Sequence, residues 1–352
     1  MATQNYNTVA GRNLIRAEAV MLKHAEPIQV LGSFGSQKEQ PLNKTDTIVF
    51  RRLKPFNATA ATNPADGYSE TPQITAANFV TAEGTTPTAN TISYTDVTTT
   101  LEQYSILFKF SSKAELMYED DIPADMQALT GKTLAEVCEL VAYGAVRAGT
   151  SVIYTNGSTR GGLNTKISLQ KLRLAARAME KNRAMKVTSA IKPGLNFGTA
   201  PVEDSYVVFI HTDLSSDVRD IPGFTKRVEY GTAIKPVHAR EIGAVEEFRF
   251  VTSPLFAPYA NGGATSAGTG MVATTANCDV YPSVIIAEDA MGHVALKGHG
   301  KAAISPTLIS SKTKNHANPS GMFGYCGADF WYSCVRLNEN FMTRIEACCS
   351  AL

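Results

Sequence analysis

The 352-residue sequence predicts an α+β protein in which a long polar β-ribbon, one long helix and a mixed α/β region follow one another. Three observations carry that expectation. Residues 91–111 alternate with period two and are rich in threonine, which is the pattern of extended strands. Between Met126 and Val141 apolar residues recur every three or four positions, the period of a helix. From Ser205 onward, short apolar strands are interleaved with turn and cap residues.

Residues 1–46 read as a polar arm in which Arg12, Arg16, Lys23, Lys38 and Lys44 are scattered, with a helix expected over Asn13–Lys23 and then a loop, "LGSFGSQKEQPLNKTD". "TIVFRRLKPF" (47–56) has strand composition, ended by Pro55. Its Arg51 and Arg52 fall on opposite strand faces, either as edge or interface positions or as phosphate contacts. From Pro55 to Phe108 there is no Lys or Arg, although the chain holds 33 of them, and the acids Asp66, Glu70, Glu83, Asp96 and Glu102 make the segment −5. Residues 1–54, with eight basic and four acidic side chains, are +4.

Nine of the twenty residues 81–100 are threonine, and neither parity of the alternating stretch is clearly apolar until Tyr104. A long ribbon polar on both faces does not stand alone in water. It must lie against something outside its own core, and a neighbouring chain is the natural candidate.

After "EDDIPAD", Met126, Leu129, Leu134, Val137, Leu140 and Val141 trace a helix of up to ~26 residues, ~40 Å long. Thr133 and Glu136 have capping-box spacing if the helix restarts there, and Gly149 is placed to end it. A second helix is expected over Ser168–Lys186, with Ser168 as N-cap and Leu169, Leu172, Ala176 and Met179 on its apolar face. "SYVVFIH" (205–211) reads as a buried strand. "TDLSSDVRDI" reads as a short helix capped by Thr212 or Asp213, and "FTKRVEYG" as another ending at Gly231. "EIGAVEEFRFVTSP" is expected to turn at Gly243 into a strand, and residues 257–277 to form a long Gly/Ala/Thr/Ser loop. β structure resumes with "VYPSVIIAEDAMGHVALKG". The last 25 residues give two strands, in which Phe341, Thr343, Ile345 and Ala347 alternate with Met342, Arg344 and Glu346.

The charged fraction, 18%, is low for a free monomer, whose surface commonly carries about 25–35% charge, and this favours an assembled protein. Six cysteines fit no metal-ligand spacing and read as free, mostly buried thiols. No secretory signal and no apolar run near the ~18 residues of a membrane span is visible, so folding in a cytoplasm is expected. The six histidines are scattered. "GTGMVA" (268–273) and "GHGKAA" (298–303) match G-x-G-x-x-A, but neither joins a strand to a helix that could hold a pyrophosphate. The triplet Glu119, Asp120, Asp121 reads as a solvated turn. No catalytic, cofactor-binding or metal-ligating residue is assigned, and an enzyme is not expected.

Taken together, "TIVFRRLKPF", "VTAEGTTP" (80–87), "LEQYSILFKFS", "LAEVCELVAYGAVRAGTSVIY", "YVVFIHTDLSSDVRD", "EIGAVEEFRFVTSP" and "FGYCGADFWYSCVRLNENFMTRIE" occur in an order that resembles the major capsid proteins of tailed phages, in the N4-like branch of the Hong Kong 97-type fold. The resemblance implies five parts: an N-terminal arm (1–46), a strand and extended loop (47–108), a peripheral domain with a spine helix (109–195), a mixed α/β axial domain (196–320) and C-terminal strands returning to the core (321–352). It implies a coat protein that self-assembles into pentamers and hexamers of an icosahedral shell around double-stranded DNA in the virion. Assembly in the bacterial host cytoplasm follows, with scaffolding, portal and cement or decoration proteins as partners and no membrane.

Glu70, Glu83, Gly84, Thr85, Asp96, Arg51 and Arg52 are then candidates for contacts between subunits, and Arg12, Arg16 and Lys23 for contacts with DNA. Some members of the family weld the shell by an isopeptide bond from a loop lysine. Here the loop has no lysine, so that route is closed. The alternative reading of the Thr- and Gly-rich loops is a β-rich tail or receptor-binding structural protein.

Overall fold

A computed structural model describes residues 29–54, 58–60, 70–72, 76–87, 89–117, 122–187, 192–193, 199–200, 204–230, 236–297, 304–314, 316 and 318–352. The helix expected over Asn13–Lys23, the basic residues Arg12, Arg16 and Lys23, the acidic triplet at 119–121 and the glycine motif at 298–303 lie outside these residues.

In chain order the elements begin with β1 (Ser36–Gln40), β2 (Thr47–Leu53), β3 (Ala58–Ala60), β4 (Glu70–Pro72), β5 (Tyr94–Thr100) and β6 (Glu102–Ser111). Helices α1 (Ser112–Met117) and α2 (Ile122–Arg147), strand β7 (Val152–Tyr154) and helix α3 (Leu169–Lys181) follow. Then come β8 (Lys192–Pro193), β9 (Thr199–Ala200), β10 (Tyr206–His211), α4 (Ser215–Arg219) and β11 (Thr225–Lys226). The remainder is β: β12 (Glu241–Val245), β13 (Phe248–Ser253), β14 (Val280–Ile286), β15 (Met291–Leu296), β16 (Ile304–Ile309), β17 (Phe323–Arg336) and β18 (Met342–Cys348). Contacts divide the chain into two interleaved units, the first drawn from 1–48, 99–144 and 292–335 and the second from 49–98, 145–291 and 336–352.

The first unit is a sheet in the order β1-β15-β17-β16, with β6 also paired to β17. The β6–β17 ladder is antiparallel over ten residue pairs, from Glu102 opposite Tyr332 to Ser111 opposite Phe323. Tyr104, Ile106, Phe108 and Phe110 occupy one parity of β6 and meet Met126, Leu134 and Val137 of α2 together with Cys326, Ala328 and Phe330 of β17. Full burial of a side chain such as Phe110 stabilises by about 1.5–3 kcal/mol. Gly324 permits the approach of Phe110, because a Cβ there would fall 2.3 Å from the ring's Cζ.

The first part of the loop expected over residues 31–46 is instead ordered, as a turn at Leu31–Ser33 followed by β1. Val30, Leu31 and Phe34 are buried, and β1 pairs in parallel with β15. The cause is Glu139, itself 1% exposed on α2, whose carboxylate accepts the backbone N–H groups of Val30 and Leu31 at 3.1 Å each. His293 of β15 fixes the same segment. Its Nε2 lies 2.8 Å from the Phe34 carbonyl and must donate there, so Nδ1, 2.7 Å from the Tyr332 hydroxyl, accepts. Burial holds the His293 pKa below its ordinary value.

The second unit contains a seven-stranded sheet in the order β11-β12-β13-β10-β14-β18-β7. β10 and β13 run parallel, as do β18 and β7, and the other neighbours are antiparallel. Leu172, Ala175 and Met179 of α3 and Val218 of α4 pack with Tyr206, Val208, Ile210, Phe250, Ile285 and Ile345 in one core, while Leu163, Cys278, Val280 and Cys348 form a smaller one.

Several local expectations are corrected by hydrogen bonding. Helix α2 does not restart at Thr133, whose hydroxyl donates back to the Leu129 carbonyl at 2.9 Å within one continuous helix. Helix α3 stops at Lys181 rather than Lys186. Arg183 adopts φ 59°, its N–H reaches the Glu180 carbonyl and that of Ala184 reaches Met179, a left-handed C-terminal closure. The cap before α4 is His211, whose Nδ1 accepts the Asp213 N–H. "FTKRVEYG" supplies the two-residue β11 and a 3₁₀ turn, not a helix. The hairpin of β12 and β13 turns at Glu246, with φ 49°, and not at Gly243, which lies inside β12 where Phe224 crowds it.

Replacing Glu139 by Ala leaves two buried N–H groups without an acceptor, and each costs about 1–3 kcal/mol. Denaturant unfolding of Glu139→Ala should show that loss, and Glu139→Gln a smaller one. Because the folded His293 pKa is depressed, its contribution is complete above the ordinary histidine pKa of about 6.5 and fades as pH falls below it, when the unfolded chain takes the proton first. Unfolding measured from pH 8 to pH 5 should show less acid sensitivity in His293→Gln, whose amide can donate to Phe34 and accept from Tyr332.

Candidate assembly surface

β2 and β5 form a two-stranded ribbon. The Lys54 N–H donates to the Ser93 carbonyl at 2.9 Å at one end, and the Leu101 N–H to the Asp46 carbonyl at 3.0 Å at the other. No residue of β5 is buried within the chain: Tyr94, Asp96, Thr98 and Thr100 are exposed, and Thr95, Val97 and Thr99 are half-buried. The two-sided polarity read from the sequence is therefore present in three dimensions.

On the exposed parity, the Arg51 guanidinium grips Asp96 with two parallel hydrogen bonds, Nε to Oδ1 at 2.8 Å and Nη2 to Oδ2 at 2.7 Å. It also lies 5.6 Å from the centre of the Tyr94 ring. The hydrogen bond raises the Arg51 pKa and lowers that of Asp96, so both are charged across the ordinary pH range. Val49 and Leu53 share the exposed parity of β2, and Ile92 and Tyr94 are exposed beside them. This face thus combines a fixed ion pair with apolar side chains open to solvent, which is how a surface that meets another protein is composed.

The loop before β5 is exposed as well. Phe79 and Val80 are 52% and 81% exposed. Glu83 and Gly84 are the central residues of a tight turn in which the Thr85 N–H and hydroxyl both reach the Ala82 carbonyl, at 3.1 and 2.7 Å. Gly84 has φ +80°, which the second central position of such a turn requires.

The structure accordingly brings Arg51 together with Asp96 and places Glu83, Gly84 and Thr85 in one exposed turn. Arg52 points to the opposite parity of β2, and Glu70 opens β4.

A second feature escaped the sequence. Glu346 of β18 is fully buried and receives Arg160 through two 2.7 Å hydrogen bonds, with Arg344 Nε 3.0 Å away. Arg160 and Arg147 both lie against Tyr259, at 3.6 and 3.7 Å from the ring centre, and Arg344 also donates to the Arg147 carbonyl. The cluster ties the end of α2, the 257–277 loop and β18 together. Alternation along β18 gave no warning, since all seven of its residues are buried and both parities face protein.

Among the described residues no cluster of His, Cys, Asp or Glu could hold a metal ion, and no helix is long and apolar enough to cross a membrane. All six cysteines are free thiols. Burial pushes Cys138, Cys348 and Cys349 up to about 12, far from the thiolate form that a nucleophile needs.

The fold described here is that of phage capsid chains. The capsid of Ralstonia phage GP4 superposes with a TM-score of 0.58 at 10% identity, covering 90% of this chain and 87% of that one. The capsid of cyanophage P-SCSP1u gives 0.54 at 13% identity over 92% and 89%. The head structure of Helicobacter pylori bacteriophage KHP40 gives 0.53 at 8% identity over 92% and 89%. No family model matches the sequence, and no curated protein is similar to it.

Glu346→Ala strands the buried Arg344 and half-buried Arg160 without their carboxylate, and breaking a buried pair in this way costs about 3–5 kcal/mol. A matching drop in the denaturant midpoint at unchanged slope is expected. An effect under 1 kcal/mol would show that water replaces the carboxylate.

Proposed function

We propose that the chain is a major capsid protein: a non-enzymatic subunit that assembles with copies of itself into the pentamers and hexamers of an icosahedral shell around phage double-stranded DNA. The observation that carries this reading is the match to phage capsid chains over about nine-tenths of both partners. The exposed ribbon supports it, because a two-stranded element with one open parity and no fully buried residue in β5 gains stability by meeting another surface. In this reading the fold is of the Hong Kong 97 type, in its N4-like branch, α2 is the spine of the peripheral domain, and the region from 196 to 320 is the axial domain. Shell strength then comes from many equivalent contacts closed by symmetry.

The ribbon face with Arg51, Asp96, Glu83, Gly84 and Thr85 would meet a neighbouring subunit, joined by Arg52 and Glu70. The bidentate Arg51–Asp96 pair neutralises two of its charges internally, so Glu83 and Glu70 carry the attraction to a neighbour's basic arm. Arg12, Arg16 and Lys23 of the arm would contact phosphates without reading sequence. Scaffolding, portal and cement or decoration proteins complete the partner set, and assembly takes place in the host cytoplasm. The competing reading, a β-rich tail or receptor-binding protein, is disfavoured by the 26-residue α2 and by the extent of the capsid match.

Purified protein, alone and with the other structural proteins of its phage, should give closed polyhedral particles in negative-stain electron microscopy. Small oligomers under both conditions would refute the shell. With no lysine between Pro55 and Phe108, boiled and reduced particles should run as a single 37.8 kDa band, and a ladder of covalent multiples would refute non-covalent assembly. Charge reversal at Glu83 and Glu70 should lower particle yield most at low salt, where screening is weakest. Yield indifferent to both changes would remove the charge attraction.

A further inference from the structure

Helix α3 and the residues on either side of it form the most basic stretch of the chain. Residues 166–186 hold seven basic side chains and one acid, Glu180, a net +6 in a chain whose total is +1. Around the helix this charge is sorted. Leu172, Ala175 and Met179 are buried in the core of the second unit. At 100° per residue, Arg173, Arg177 and Lys181 fall with Gln170 inside an arc of about 80° on the other side, and all four are exposed. The three cations follow one another at four-residue steps, a straight row ~12 Å long. Arg183, just past the end of the helix, is exposed as well.

The row does not serve the helix itself. Like charges four residues apart destabilise it, no acid stands in its first turn, and Lys171 lies there against the positive end of the dipole. Neighbouring acids engage the margins of the segment. Arg173 donates to both carboxylate oxygens of Glu246, Lys186 lies 2.9 Å from Glu247, and Lys166 lies 3.7 and 3.6 Å from Asp217 and Asp220. These contacts hold α3 against the β12–β13 hairpin and the end of α4, with Arg177 and Lys181 on the open arc.

We infer that the outward face of α3, centred on Arg177 and Lys181, is a site for the phosphate backbone of double-stranded DNA. The helix has no aromatic side chain on which an unstacked base could lie, the device that commonly holds single strands. Nor does the arc hold an apolar anchor of the kind that centres a protein interface, since Leu174, 37% exposed, only borders it. A row of cations without either binds a duplex by displacing its counterions, whatever the sequence. That the duplex is the packaged genome rests on the shell reading; that this face binds it does not.

Binding of the full-length protein to a short labelled DNA duplex of mixed sequence, followed by fluorescence anisotropy across a salt series, tests it. The logarithm of the binding constant should fall linearly with the logarithm of salt concentration. Arg177→Gln with Lys181→Gln should flatten that slope by about 1.8, about 0.9 for each cation removed. Arg177→Lys with Lys181→Arg, which keeps both charges, should keep the slope. Lys312→Gln with Lys314→Gln, which removes the same charge from an exposed turn of the first unit, should also leave it unchanged. A slope unaltered in the α3 glutamine variant, or flattened equally by the 312 and 314 pair, would overturn the inference. So would a wild type that binds no duplex at any salt concentration, which would leave the face to an acidic protein. Polyhedral particles together with an unaltered slope would keep the shell and remove this site, whereas a flattened slope without particles would keep the site and refute the shell.

Discussion

The ten-pair antiparallel ladder between β6 and β17 is the interaction on which the first unit depends. It presents Tyr104, Ile106, Phe108 and Phe110 as one apolar row and backs them with Cys326, Ala328 and Phe330, giving α2 a floor to pack on. The close approach works because Gly324 and Gly327 face Phe110 and the Ile106 carbonyl at distances no side chain would tolerate. A single residue, Leu101, separates β6 from β5, in which one parity is exposed and no side chain is fully buried. The transition from packed strand to uncovered ribbon thus falls where the sequence changes from alternating aromatic and aliphatic residues to threonine.

Buried charge organises the rest. In the first unit one carboxylate, Glu139, holds the entering chain by its backbone. In the second, Glu346 gathers Arg160 and Arg344, while Tyr259 lies against both Arg160 and Arg147. Such groups are costly to bury and more costly to orphan, so they specify one arrangement rather than add much net stability. A chain whose ribbon is left open gains from rigidity elsewhere, since a surface held in one geometry loses less entropy on any contact it makes.

Much of this was legible in the residues. The helical period from Met126 to Val141 locates α2, the alternation from Tyr104 onward locates the inward face of β6, and "SYVVFIH" locates a strand buried on both sides. The candidate surface was legible in part: the lack of a clearly apolar parity over 91–100 marked the ribbon, while the turn at Gly84 was seen only in the structure. The Arg51–Asp96 pair was not legible, because 45 residues separate its members and only the β2–β5 pairing makes them neighbours.

Local composition by itself determined where strands, the long helix and the uncovered ribbon lie, because periodicity and the want of apolar side chains are properties of short segments. Tertiary structure alone decided that residues 31–40 are a buried turn and a paired strand rather than a loop, since their order comes from Glu139 about a hundred residues away and from β15 further still. It likewise decided that Arg344 and Glu346 are core residues. A charged side chain reads as solvent-facing until the fold supplies a counter-charge, and Arg160 arrives at Glu346 from 186 positions up the chain.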